Sequence, residues 1–80
     1  MRLENHEVVT LLIAEFDVLP AAIRAEATWE ELGLDSLAQV EFRERLCEVS
    51  RTEITEDEFA DSATVTGLVG LIDRKRAAAP

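Results

Sequence analysis

Cysteine is nearly missing from this 80-residue chain. Cys47 stands alone, so no intramolecular disulfide can form. That leaves stability to packing and fits a reducing, cytoplasmic setting. Basic residues are scarce as well. Eight Lys and Arg against seventeen Asp and Glu give a net charge of −9 and a pI near 4.4. Such a field repels nucleic-acid phosphates and anionic membranes and attracts basic protein patches, so nucleic acid is excluded as a partner. Long apolar runs are absent too. "VLPAAI" and "LLIA" fall far short of a membrane span, and "MRLENHEVV" lacks the uncharged core of a signal peptide. The acid-rich "EITEDEFAD" lacks the D-x-[DN]-x-[DN]-G loop of a calcium site, so no metal centre is expected there. What is present is an apolar fraction of 48%, ordinary for a globular protein. A chain this short buries roughly 60–65% of its unfolded surface, enough for one modest core and no deep cleft.

Strand-like alternation is also lacking, whereas helical spacing recurs. The expected fold class is all-α: a small bundle of three main helices plus one short helix, with a long loop between the first and second. Residues 1–80 read as a single domain with helices over roughly 5–17, 36–49, 56–60 and 64–76. Asn5 is the expected cap of the first helix, and Val9, Leu12, Ile13 and Phe16 its core face; Pro20 ends it. A helical turn is expected around Ala21–Ala25, with Ile23, Trp29 and Leu32 pinning the loop to the core. Asp35 suits the cap of the second helix, whose apolar stripe is Phe42, Leu46 and Val49. Thr55 and Glu58 have the spacing of a capping box. Val65, Leu68, Val69 and Ile72 share one face of the last helix. Gly67 and Gly70 weaken that helix by up to about 1 kcal/mol each relative to alanine. Arg74, Lys75 and Arg76 suit its negative C-terminal end, and "AAAP" reads as a frayed tail. Cys47 reads as a partly buried small hydrophobe.

One short stretch, "ELGLDSLAQVEF" (31–42), carries the chemical interest. Ser36 follows a strong capping residue where a glycine-containing loop turns into a helix. A hydrolase nucleophile would want G-x-S-x-G, but Leu34 and Ala38 occupy the flanking positions. The only histidine, His6, belongs at the far end of the first helix and reads as a surface residue. Without a base, a serine remains an alcohol at neutral pH, so Ser36 is not expected to be catalytic. The bland alternative is a favourable residue at a helix start. Against it stands the helix that follows, where Leu37, Glu41, Glu44 and Glu48 fall at i, i+4, i+7 and i+11 on one stripe. Arg45, four residues after Glu41, partly relieves the like-charge repulsion. Either this is a solvated face, or an exposed serine heads an acidic recognition helix.

"LGLDSL", then "AQVEFRERL", "TEI", a short acidic helix and "TVTGLVGLI" together resemble the acyl carrier protein family over nearly the whole chain. The resemblance implies a carrier, not an enzyme. It implies that Ser36 holds 4′-phosphopantetheine, transferred from coenzyme A by a separate magnesium-dependent phosphopantetheinyl transferase, and that acyl groups ride on the arm as thioesters. It implies that Asp35 assists that modification, while Leu37, Val40 and Glu41 fall where partners dock. Glu44 and Glu48 extend the acidic face. Partners would be a ketosynthase, an acyltransferase and other synthase enzymes with basic docking patches, served by a discrete, cytoplasmic monomer. Glu44 and Ser50 replace residues that are commonly apolar in fatty-acid carriers, Glu44 beside the acyl entrance; Val49 is expected to take over in the core. With Arg43 and Arg45, the stretch looks closer to polyketide-type carriers. Fatty-acid or aminoacyl carriage is the close alternative, and an acidic interaction module without a prosthetic group is the alternative of another class.

Overall fold

The computed structural model describes residues 6–78. Among the described residues four α-helices follow one another: α1 (Glu7–Phe16), α2 (Ser36–Ser50), α3 (Glu56–Ser62) and α4 (Val65–Ala78). No strand forms among the described residues; a single β-bridge joins Thr28 to Thr64. The all-α bundle with one short helix and a long α1–α2 loop is therefore the observed architecture.

Each helix starts where a polar side chain can satisfy a free N–H group. For α1 that residue is His6, whose Nδ1 accepts from Val8 N–H at 3.2 Å. Asn5, the expected cap, lies outside the described residues. His6 is not the open surface residue expected either: its side chain is only 9% accessible. With Nδ1 accepting, Nε2 carries the proton and donates to Asp73 Oδ1 at 3.0 Å, tying the start of α1 to α4. Asp35 Oδ1 accepts from Ala38 N–H at 2.8 Å and caps α2. Thr55 and Glu58 form the full capping box of α3: Thr55 Oγ1 accepts from Glu58 N–H at 3.1 Å, and Glu58 Oε1 from Thr55 N–H at 3.0 Å. At α4, Thr64 Oγ1 accepts from Gly67 N–H, while the carbonyls of Ala27 and Ala25 take the N–H groups of Val65 and Thr66. The long loop thus caps the last helix, which leaves few of its orphan donors unpaired.

The core face of α1 is rotated from the expected one. Val8, Val9, Leu11 and Leu12 are buried, Phe16 is half-buried, and Ile13 is 38% exposed. A wheel centred between Val8 and Leu12 puts Ile13 more than 90° off axis, and Leu11 takes its share of the core. On α2 the buried row is Phe42, Leu46 and Ser50, stepping by four, and Val49 is 38% exposed. Ser50 tolerates 5% exposure because its hydroxyl donates to Leu46 O at 2.6 Å. Val49 therefore does not replace it. The α4 face is as expected: Val65, Leu68, Val69 and Ile72 are all fully buried.

The loop is anchored by Trp29 and Leu32, both buried, with Ile23 packed against the core. Its helical turn covers Pro20–Ala22, where proline presets the first φ, rather than Ala21–Ala25. Four aromatic rings then knit loop, α1, α2 and α3 together. Phe16 meets Phe42 edge-on at 5.5 Å, and Trp29 lies 5.4 Å from Phe42 and 5.3 Å from Phe59. Each such pair contributes about 0.5–1.5 kcal/mol beyond the area it buries. Trp29 Nε1 is the one buried side-chain N or O atom without a partner among the described residues.

Gly67 is more than the weak point expected of it. A Cβ built there would overlap the carbonyl oxygen of Ser62, so only glycine lets α4 leave the α3 turn so closely. Two cations at the end of α4 reach back across the bundle. Lys75 Nζ donates to Glu58 Oε1 at 2.6 Å and to Glu53 O at 2.7 Å; Arg76 pairs with Glu7 and donates to Ser50 O at 3.2 Å. The helix continues to Ala78, so part of the expected tail is helical.

Candidate functional site: an exposed serine at the head of α2

Ser36 is the first residue of α2 and is exposed, held outward by what precedes it. Thr28 and Glu31 clasp each other: Glu31 Oε1 accepts from Thr28 N–H at 2.9 Å, and Thr28 Oγ1 accepts from Glu31 N–H at 3.2 Å. Those Thr28 bonds, with Arg24 nearby, hold the Glu31 carboxyl below its ordinary value. The chain then reverses at Gly33, whose φ of 85° suits glycine. Leu34 plunges into the core while its N–H donates to Trp29 O at 3.0 Å. Gln39 Nε2 clamps the turn from the helix side, donating to Leu34 O at 3.0 Å and to Glu30 Oε2 at 3.2 Å. A buried leucine, a capping aspartate and an amide clamp thus fix the backbone on which Ser36 stands.

No side-chain hydrogen bond engages the Ser36 hydroxyl among the described residues, and His6 is spent on Val8 and Asp73. Beside it lies an open depression of about 180 Å³ lined by Ser36, Gln39, Val40, Arg43, Glu56 and Phe59. Arg43 is fixed there by its Nη1–H bond to Ile54 O at 2.9 Å. Glu44, the residue expected beside an acyl entrance, does not line this depression. Glu44 faces another groove, with Glu15, Phe16, Glu41, Arg45 and Glu48. Arg43, Gln39 and Glu56 were not anticipated. For two of them the signal was available: 36, 39/40 and 43 repeat at helical spacing from the serine.

The outward face of α2 carries Leu37, 68% exposed, and Val40, 46% exposed, with Glu41, Glu44 and Glu48 exposed alongside. Arg45 does not relieve Glu41. It donates to Glu15 at 2.9 Å across the α1 boundary and to Glu48 at 3.2 Å, and both carboxylates raise its already high pKa. Glu48 is thereby paired with Arg45, and Glu41 and Glu44 are left as the open charges of this stripe.

An exposed serine hydroxyl at a rigid helix start offers a point at which a group can be attached. A family model described as a phosphopantetheine attachment site matches residues 6–72, from the cap of α1 to the last buried residue of α4; no curated protein matches the chain. The chain belongs to the phosphopantetheine-binding family, whose members attach 4′-phosphopantetheine covalently and serve as carriers for synthase enzymes. The residues fit such a group: an unpaired, exposed hydroxyl sits at the N-terminus of a 15-residue helix, where the dipole favours an anionic phosphodiester.

Proposed function

We propose that Ser36 is the attachment residue and that residues 1–80 work as one acyl carrier unit of polyketide type. The observation that carries this is the Ser36 hydroxyl itself, exposed, unengaged by other side chains and rigidly presented by Leu34, Asp35 and Gln39. Asp35 caps the helix with its carboxylate beside the serine, which suits a role during modification rather than in holding a phosphate. When bound, the arm supplies a terminal thiol on which acyl groups travel as thioesters. The chain itself supplies tethering, which raises the cargo's effective concentration at a partner's active site. Leu37 and Val40 give a docking enzyme apolar contact, and Glu41 and Glu44, flanked by Glu48, steer basic patches toward them. Charged Arg43 and Glu56 beside the serine favour a polyketide-type cargo over a saturated one.

The test is intact-mass analysis after incubation with coenzyme A, magnesium and a broad-specificity transferase. The expected result is one added phosphopantetheine on the wild type and none on Ser36→Ala. A wild type left unmodified under conditions that modify a control carrier sinks the assignment, as does full modification of the alanine variant.

A further inference from the structure

Three rings meet behind the depression beside Ser36. Phe59 forms one wall of it and is otherwise buried. Its ring stacks on Trp29, with centroids 5.3 Å apart and planes 14° from parallel. Trp29 leans on Phe42 at 5.4 Å, and Phe42 meets Phe59 edge-on at 6.1 Å. Each ring therefore touches the other two, one from α2, one from α3 and one from the loop. In an interior at crystal-like density none can swing aside alone, because its neighbours already fill the space. The depression in front, about 180 Å³, opens to the surface beside Ser36. Val40 and Phe59 are its only apolar side chains. Arg43, on its polar rim, is held by the bond to Ile54 O.

We infer that the Trp29–Phe59–Phe42 triangle is a plug that bars an acyl chain tethered at Ser36 from the helical interior. A few atoms of arm or cargo lodge beside Ser36, and the rest of the chain is presented outside. The class of cargo that follows is one that tolerates water, short or oxygen-bearing, rather than a long saturated chain. This rests on Ser36 as the attachment point.

Trp29 is the only tryptophan and stands directly behind Phe59, so it reports on entry. Wild type, Phe59→Ala and the milder Phe59→Leu are each loaded from coenzyme A, butyryl-coenzyme A and decanoyl-coenzyme A, with intact mass confirming one arm per chain. Circular dichroism confirms the helical fold. Trp29 emission and its quenching by acrylamide are then compared. In wild type both are expected to be the same for all three arms. In at least one folded Phe59 variant the decanoyl form is expected to shift the emission and slow the quenching relative to butyryl. A decanoyl-dependent shift in wild type overturns the inference. So does the absence of any shift in the folded variants, because Phe59 would then not be the barrier. A chain that cannot be loaded at Ser36 is recognised from its mass alone and fails the attachment assignment, and the inference with it.

Discussion

Gly67 and Gly70 stand three residues apart on α4 and lack a side chain for opposite reasons. At Gly67 an added Cβ overlaps the Ser62 carbonyl oxygen, which also accepts the Thr64 N–H and so cannot simply move. At Gly70 the nearest atom is Arg74 Nη1 at 3.3 Å, the free end of a flexible side chain. Helix propensity favours alanine over glycine by about 0.8–1.0 kcal/mol at either site. Gly70→Ala should keep that gain and raise the melting temperature by about 4–8 °C per kcal/mol for a domain of this size. Gly67→Ala should lose stability by about 2 kcal/mol or more, because overpacking against backbone outweighs propensity. Thermal denaturation of the two variants side by side decides it: equal shifts of the same sign would show that the close approach at Gly67 has no energetic weight.

Between elements, the α3–α4 junction depends on one carboxylate. Glu58 closes the capping box of α3 and receives Lys75 from α4, and the Lys75 bond, then the Thr55 N–H, lower its pKa from the ordinary 4.5. A group depressed on folding adds stability that is complete above its unfolded pKa and is lost as pH falls through the folded value. Glu7, lowered chiefly by Arg76, acts in the same direction at the α1–α4 contact. Glu58→Gln keeps the capping box, since glutamine serves at that position, and removes only the charge. Its melting temperature should therefore lie below wild type near neutral pH, and the gap should close as pH falls below the ordinary 4.5 and through the lowered folded value. A gap that stays constant from neutral to acid pH would sink the charge argument. The box itself was legible in Thr55 and Glu58, as was Asp35, because capping is local. So was the α4 face, where Val65, Leu68, Val69 and Ile72 stand apart from polar neighbours. The register of α1 was not: "EVVTLLIAEF" is apolar nearly all round, and only packing against α2 and α4 selects Leu11 over Ile13. Ser50 was misplaced because a serine that bonds its own helix can be buried where a polar residue is expected outside. At the candidate site, the helix start that presents Ser36 could be read along the chain from Asp35. Phe59 and Arg43 become neighbours only when α3 folds back, and Arg45 finds Glu15 across a helix boundary rather than Glu41 along its own.

Across the whole molecule, the distribution of charge matters more than its sum. Arg24, Arg45, Lys75 and Arg76 are engaged by carboxylates of the same chain, and Arg43 is spent on a backbone carbonyl. The excess of acid is left facing outward at Glu41, Glu44, Glu56, Asp57 and Asp61. That arrangement makes salt act in opposite directions on two observables. Screening relieves self-repulsion among unpaired acids, so raising ionic strength from about 10 to 150 mM, which shortens the Debye length from about 30 to 8 Å, should raise the melting temperature. On the proposed carrier function, the same screening weakens the steering of basic synthase partners, so acyl transfer with such a partner should slow. If Glu41 and Glu44 are the steering charges, the double reversal Glu41→Lys/Glu44→Lys lowers kcat/KM roughly tenfold at low salt and leaves kcat unchanged, because steering acts on encounter and not on the chemical step. The two salt curves then meet at high ionic strength, where neither carrier is steered. Curves that stay parallel would locate the loss in direct contacts at Leu37 and Val40 instead of in the field.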